Sequence, residues 1–400
     1  MKTSRVEYFM AFWLIMVSGN PTFTPNRWRE AIVFSITFLI CVLYRNFFRI
    51  IVADINIGIF SALFFLIFII HAFEFNFFPL QSIASFYIRL FLGVILFRAI
   101  PSGTEKYIKC LYYICVISLI FYIPSEILRI GFGVSLRSFF EPLKFISGDI
   151  NLLHVIFYNF DGAGAPNRNS GPFWEPGAFS GYILIAILLL SQYKNIIQPK
   201  YYWKYLIILI ITMLSTKSTT GYLLLPIALI PHMNFELAKN SKLLGFRMLM
   251  VASLILTGIL FSPRLVQLDF IGEKITSQYE EAVNKQTGWE INRFGNFIFD
   301  LQYIKERPLL GWGINEKTRY ALHGGKAVVG QGNGFTDGII KFGFIGFGLY
   351  ILSLFFSFRR FYSGNFKNIF ISLLVIMLAL NAEIFLNFPI FLGLIALRRS

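Results

Sequence analysis

Charge is scarce in this chain. Only 14% of its 400 residues are Asp, Glu, Lys or Arg, against 56% hydrophobic, whereas a soluble globular domain carries roughly 25% charged residues. The soluble class is excluded on that ground. Cysteine is nearly absent: Cys41, Cys110 and Cys115 each sit inside an apolar run, and they offer neither a disulfide framework nor metal-ligand spacing. With four histidines in the whole chain, no acidic pair or His cluster reads as a metal site. No internal repeat marks inverted transporter halves. Ionisable residues are also thin within the apolar runs, where Arg89 is the clearest and His71, Glu74 and Glu383 lie near run ends. Ion-coupled transporters set such groups along a path through the bilayer, so their scarcity weighs against that class.

What the chain has instead is apolar length. Forty-seven phenylalanines and a mean hydropathy of +0.64 accompany about twelve apolar runs, the first, seventh, eighth and last of them shorter than the roughly 20 residues that span a bilayer. They fall near 6–19, 30–47, 55–72, 80–98, 106–124, 177–192, 203–214, 219–232, 244–262, 335–357, 367–383 and 386–397. The first run follows Lys2 and Arg5, as a signal peptide would, but no A-x-A-like cleavage site follows it, and it is read as a retained helix. With both termini in the cytoplasm, every inside connection receives at least two basic residues, among them Arg45/Arg49, Arg98/Lys106 and Arg359/Arg360, as the positive-inside rule requires. Arg27 and Arg29 are the outside exception. The net charge of +15 is therefore a topological signal, and nucleic acid is not an expected partner.

A single integral membrane domain over 1–400 is broken by two long polar segments, 126–176 and 263–334. Both fall outside in this topology, joined there by the short element 215–220. All unusual polar sequence thus collects on one face.

Four motifs stand out on that face. In DGAGAPNRNSGPFWEPG, 161–177, Gly, Pro and Asn give a shaped loop. Pro176 suits the first turn of the next helix, and Glu175 suits its positive end. Capping accounts for Glu-Pro, and Trp174 is ordinary at an interface. Arg168 is the surplus, since an arginine fork beside a helix N-terminus suits diphosphate or carboxylate. In LSTKSTTGYLLLP, 214–226, Ser215, Ser218 and Thr219 are N-cap candidates, and Lys217 adds an outer cation. In EINRFGNFIFDLQYIKERPLLGWG, 290–313, helical spacing runs to Arg307-Pro308. Arg293, Asn296 and Asp300 form a polar stripe there that reads by default as a solvated face. GQGNGFTDG, 330–338, leads into the tenth run with Asn333 and Asp337 as capping residues. Glu175, Asp300 and His323 are the candidate proton acceptors, and Arg168, Lys217 and Arg293 the anion holders. An anionic, membrane-anchored substrate delivered outside the cytoplasm would suit them.

The order R-N-S-G-P-F-x-E-P-G, S-T-x-S-x-x-G, N-R-F…P-L-L-G-x-G, then an Asn-bearing loop into a G-x-x-G run, over about 160–350, resembles the O-antigen polymerase and O-antigen ligase superfamily. That resemblance implies an all-α polytopic glycosyltransferase of GT-C-type architecture in a bacterial inner membrane, its active site facing the periplasm. The substrate implied is an undecaprenyl-diphosphate-linked oligosaccharide, with no cofactor and no metal. A chain-length regulator would be a candidate partner. By position Arg168 and Arg293 match the family's arginines. In the scheme this implies, both hold the departing diphosphate with help from Lys217, Glu175 or His323 is the catalytic base, and Asn333, Asp300 and Trp174 support them. The chain departs from the family at Ser218-Thr219, where members often show Ser-Arg. It departs again at Gly332, where ligases typically carry a His before the Asn matched to Asn333. The second departure favours repeat-unit polymerase over ligase. A lipid-linked oligosaccharide flippase is the alternative from another class; it calls for a charged cavity within the bilayer.

Overall fold

The computed structural model describes residues 5–23, 27–44, 54–140, 154–160, 167–194, 196–233, 293–323, 333–381 and 383–398, with the side chains of 27–29, 42–44, 154–155, 293–298 and 323 excepted. These residues are mostly helical. In chain order the helices are α1 (Arg5–Val17), α2 (Arg27–Tyr44), α3 (Ile55–Glu74), α4 (Leu80–Val94, running into a wider turn at Ile95–Ala99), α5 (Gly103–Phe132) and the short α6 (Arg137–Phe140). A two-residue hairpin, β1 (His154–Val155) with β2 (Tyr158–Asn159), precedes α7 (Pro176–Leu190), α8 (Pro199–Ser215) and α9 (Thr219–Leu229). Then follow α10 (Arg293–Glu306), α11 (Glu316–Arg319), α12 (Gly334–Phe361), α13 (Phe366–Leu380) and α14 (Pro389–Gly393).

Five segments are long and apolar enough to cross a membrane: Ile55–Glu74, Leu80–Ala99, Gly103–Phe132, Pro176–Tyr193 and Gly334–Phe361. Glu30–Cys41 and Phe366–Leu380 are shorter apolar helices. The expected run 244–262 lies outside the described residues, as do 263–292 and 324–332 of the second polar segment. Two boundaries differ from the sequence reading. Helix α5 continues through Pro124 to Phe132, so the first polar segment begins later than 126. The run 386–397 is not one helix: a 3-10 turn at Phe385–Asn387, α14, and a second turn at Leu394–Ala396 replace it. Its shape follows from a close crossing. A Cβ on Gly93 would lie 2.0 Å from the Pro389 carbonyl oxygen and 2.6 Å from the Gly393 Cα, so α14 crosses α4 backbone against backbone.

Helix α7 is the axis of the bundle, with every residue from Pro176 to Leu190 buried. Buried polar groups from its neighbours grip its carbonyls at successive heights. Tyr107 Oη donates to Tyr182 O at 2.9 Å, Tyr362 Oη donates to Leu188 O at 2.9 Å, and His232 Nε2 lies 2.8 Å from Ile187 O. Paired groups of this kind carry none of the penalty of buried, unpaired ones.

Helix α12 is broken at Gly343, whose φ of 63° and ψ of −177° leave the helical region. The segment 308–313 fills the break. Trp312 N and Gly313 N donate to the Ile340 and Lys341 carbonyls at 2.7 and 3.0 Å, and Phe344 N and Ile345 N donate to Pro308 O and Leu309 O at 2.8 and 3.1 Å. Irregular backbone within an apolar helix is tolerated when its polar groups are satisfied within protein. Glycine is required at the break, because a Cβ on Gly343 would stand 2.1 Å from Leu309 O.

Candidate functional site

The loop entering α7 is held by amides. Asn169 Nδ2 donates to Ser215 Oγ at 2.8 Å and to Ser118 Oγ at 3.2 Å, while its Oδ1 accepts from Gly171 N at 2.9 Å. Asn159 Nδ2 donates to the Phe173 carbonyl at 3.0 Å and the Trp174 carbonyl at 3.2 Å. Phe173 is fully buried and stacks on Tyr182 at 4.2 Å; Trp174 stacks on Phe388 at 4.4 Å. The aromatic pair is thus packing. Pro176 takes the first helical position, as expected, and Glu175 precedes it without a side-chain cap bond.

The two expected cations of this region lie together and both meet backbone. Arg168 Nε donates to Thr216 O at 3.1 Å, and Lys217 Nζ donates to Asn167 O at 2.8 Å with Glu126 Oε2 at 3.3 Å. Ser218 caps α9, accepting from Gly221 N at 3.3 Å. Glu175 has an acidic neighbour that the sequence did not indicate. A Cβ placed on Gly177 would lie 2.9 Å from Glu175 Oε1 and 3.0 Å from Glu383 Oε1, so the two carboxylates flank one glycine. The backbone of Glu383 in turn abuts the start of α12, 2.1 Å from where a Cβ on Gly334 would be.

At that start Asn333 caps α12, accepting from Phe335 N at 3.0 Å and Thr336 N at 3.2 Å. Thr336 Oγ1 donates to Asp300 of α10. The default reading of the α10 stripe as solvated fails at Asp300, which is only 3% exposed. Burial pushes its carboxyl up to about 7; the Thr336 hydrogen bond and the nearby Arg319 and Lys341 oppose that rise, and Asp337 adds to it. The side chains of Arg293, Asn296 and His323 lie outside the described part of the structure.

Beyond Asp300 lies a charge cluster the sequence reading missed. Asp337 is fully buried between two cations: Arg319 Nη1 is 3.3 Å from Oδ1, and Lys341 Nζ contacts Oδ2. Lys341 Nζ also donates to Asn387 Oδ1 at 2.9 Å. The apolar runs are therefore not as free of ionisable groups as their composition implied. Arg319 and Lys341 face a cavity of about 770 Å³ between α2, the start of α4 and the 314–319 loop. Arg89 and Glu30, paired with each other, stand on its wall with Lys317, and Asn315 Nδ2 bonds Ser82 Oγ across it at 3.1 Å. Lys341 was readable as a lysine one turn after Asp337 in an apolar run, a costly placement. Arg319 carried no such signal.

The mouth of α7, the Glu175–Glu383 pair, the α12 cap and the cavity form a continuous series of contacts at one end of the bundle. Cations, amides and hydroxyls there can hold an anionic group, and the carboxylates can take a proton. Among the described residues, no three His, Cys, Asp or Glu side chains gather as a metal site. Comparison with known protein families and with curated proteins gives no match for this chain.

Proposed function

We propose that the chain is a glycosyltransferase of GT-C-type architecture with about twelve spans, polymerising undecaprenyl-diphosphate-linked repeat units into O-antigen or a similar surface polysaccharide. It works on the periplasmic face of a bacterial inner membrane, with both termini in the cytoplasm. The observation that carries this reading is the 770 Å³ cavity with the buried cations Arg319 and Lys341 in its wall. It lies at the end where the chain topology puts the outside loops, and its volume is in the range of small-ligand sites.

In this reading a hydroxyl of one lipid-linked repeat attacks the anomeric carbon of the growing glycan. The new glycosidic bond forms as the bond from that carbon to the diphosphate oxygen breaks, and the undecaprenyl diphosphate leaves with the bonding electrons. Arg319 and Lys341 stabilise the charge that develops on the leaving group. Each donor fixed where charge develops is worth about 3–4 kcal/mol in a favourable site. The hydroxyl proton has two described acceptors, Glu175 beside Glu383 and Asp300 beneath Thr336.

The test is a lipopolysaccharide gel of a deletion strain complemented with wild type, Arg319→Gln, Arg168→Gln, Glu175→Gln or Asp300→Asn, with membrane levels of each variant measured. Core carrying a single repeat, with the ladder lost, is the expected phenotype of the deletion and of Arg319→Gln. The proton acceptor is whichever carboxylate variant reproduces it. Bare core with long polymer left on the carrier means ligase, and an unchanged ladder in the deletion overturns the assignment.

A further inference from the structure

The opposite end of the bundle carries a second basic site, independent of the proposed reaction. Asp54, 5% exposed, caps α3 and is the anchor. Arg360 Nη1 reaches both of its oxygens at 3.1 Å, and Arg98 Nε lies 3.5 Å from Oδ2. Arg98 is also within electrostatic reach of Arg360 and Arg398. One carboxylate thus faces two guanidinium groups with a third near them, and positive charge is left over. Beside this cluster lies an open cavity of about 490 Å³ lined by Asn56, Phe356, Arg359, Arg360, Ser363 and Gly364. Arg359 lines it too, and among the described residues its guanidinium has no hydrogen-bond or ion-pair partner.

The floor of the cavity is a tight turn. Gly364 N donates to Arg359 O at 2.9 Å, and Ser363 and Gly364 have φ of 52° and 80°, closing the end of α12 by a Schellman-type pattern. The helix face leading to it is apolar and exposed: Ile345 at 46%, Leu352 at 49% and Phe356 at 40%. With 3.6 residues per turn, these three and Arg359 share one stripe. On neighbouring α3, Ile55, Ile59 and Leu66 are exposed as well.

We propose that this cavity binds the phosphodiester headgroup of an anionic phospholipid, with an acyl chain lying along the Ile345–Leu352–Phe356 stripe. Arg359, whose guanidinium has no partner among the described residues, and the shared Arg360 supply donors for phosphate oxygens, and Asn56 and Ser363 offer polar groups to the remainder of the headgroup. The apolar stripe favours a lipid over free phosphate, because a soluble anion would make no use of it. Basic residues at the cytoplasmic ends of spans attract anionic lipids in general. The turn and the cavity make this place particular.

Native mass spectrometry of the full chain in neutral detergent, titrated with short-chain phosphatidylglycerol, short-chain phosphatidylcholine and inorganic phosphate, tests it. Phosphatidylglycerol is expected to bind about tenfold or more tighter than phosphatidylcholine, and Arg359→Gln to weaken it about tenfold, the worth of one charge-assisted hydrogen bond. Lys200→Gln, an exposed lysine at the same end, is expected to leave it unchanged. Equal binding of the two lipids overturns the proposal, as does an Arg359→Gln protein that binds like wild type or an equal loss in Lys200→Gln. Inorganic phosphate that displaces phosphatidylglycerol at equal concentration means a free-anion site and overturns the lipid assignment. Arg359 is exposed and outside the Asp54 pairing, so its replacement leaves the fold intact.

Discussion

The mouth of α7 and the cavity beside α12 both hold cations, and they use them in opposite ways. At the mouth, Arg168 and Lys217 donate to the Thr216 and Asn167 carbonyls, tying two polar segments of the chain together. At the cavity, Arg319 and Lys341 share one buried carboxylate and border open space. A cation that satisfies backbone acts as a brace. One that is buried, paired and beside a cavity holds charge where a substrate can meet it. The difference lies in surroundings, since the residue types are the same.

The largest effect that would sharpen this contrast is expected at Asp337. Asp337→Asn leaves Arg319 and Lys341 buried without their counter-charge, and should cost about 3–5 kcal/mol of stability, read as a lowered unfolding midpoint in detergent. Adding Lys341→Met should recover part of that loss, because the buried charge goes with it. A double variant no more stable than Asp337→Asn would show that the pair is not the coupled unit described.

A pH effect at Asp300 is next. Its folded carboxyl is raised from 3.8 to about 7, so the folded state holds the proton longer than the unfolded state. Its contribution to stability is full below about pH 4 and is lost progressively as pH rises to about 7. In Asp300→Asn the unfolding midpoint should vary less between those limits than in wild type. An unchanged pH profile in the variant would remove Asp300 from the account.

The smallest effect belongs to the mouth. Ser218→Ala deletes the cap of α9 and should cost about 1 kcal/mol, measured by the same unfolding curve, with little change in polymer ladder. If instead the ladder collapsed while stability held, the cations of the mouth would hold substrate rather than brace the backbone, and the contrast would break.

Much of the local structure was legible. Pro176, Ser218 and Asn333 each begin a helix where their chemistry indicated, and α10 ends at Glu306 before Arg307-Pro308. These signals work because a cap acts on backbone groups two or three residues away. The role of Leu309-Leu310-Gly311-Trp312-Gly313 was not legible. It reads as a helix stop, yet its backbone closes the break in α12 some thirty residues on. The same holds for the Glu175–Glu383 juxtaposition and for Arg319 beside Asp337. Nothing local distinguishes a surface arginine in Glu-Lys-Thr-Arg from one that will be buried.

By itself the sequence determined that this chain is helical and apolar enough for a membrane, and that its distinctive polar residues collect between the apolar runs. Composition and run length decide those properties, and each is a sum over neighbours in the chain. Only the tertiary structure decided which charges became braces and which border a cavity. That choice depends on burial and on partners distant in sequence, and the energy of a buried charge is set by what lies across from it.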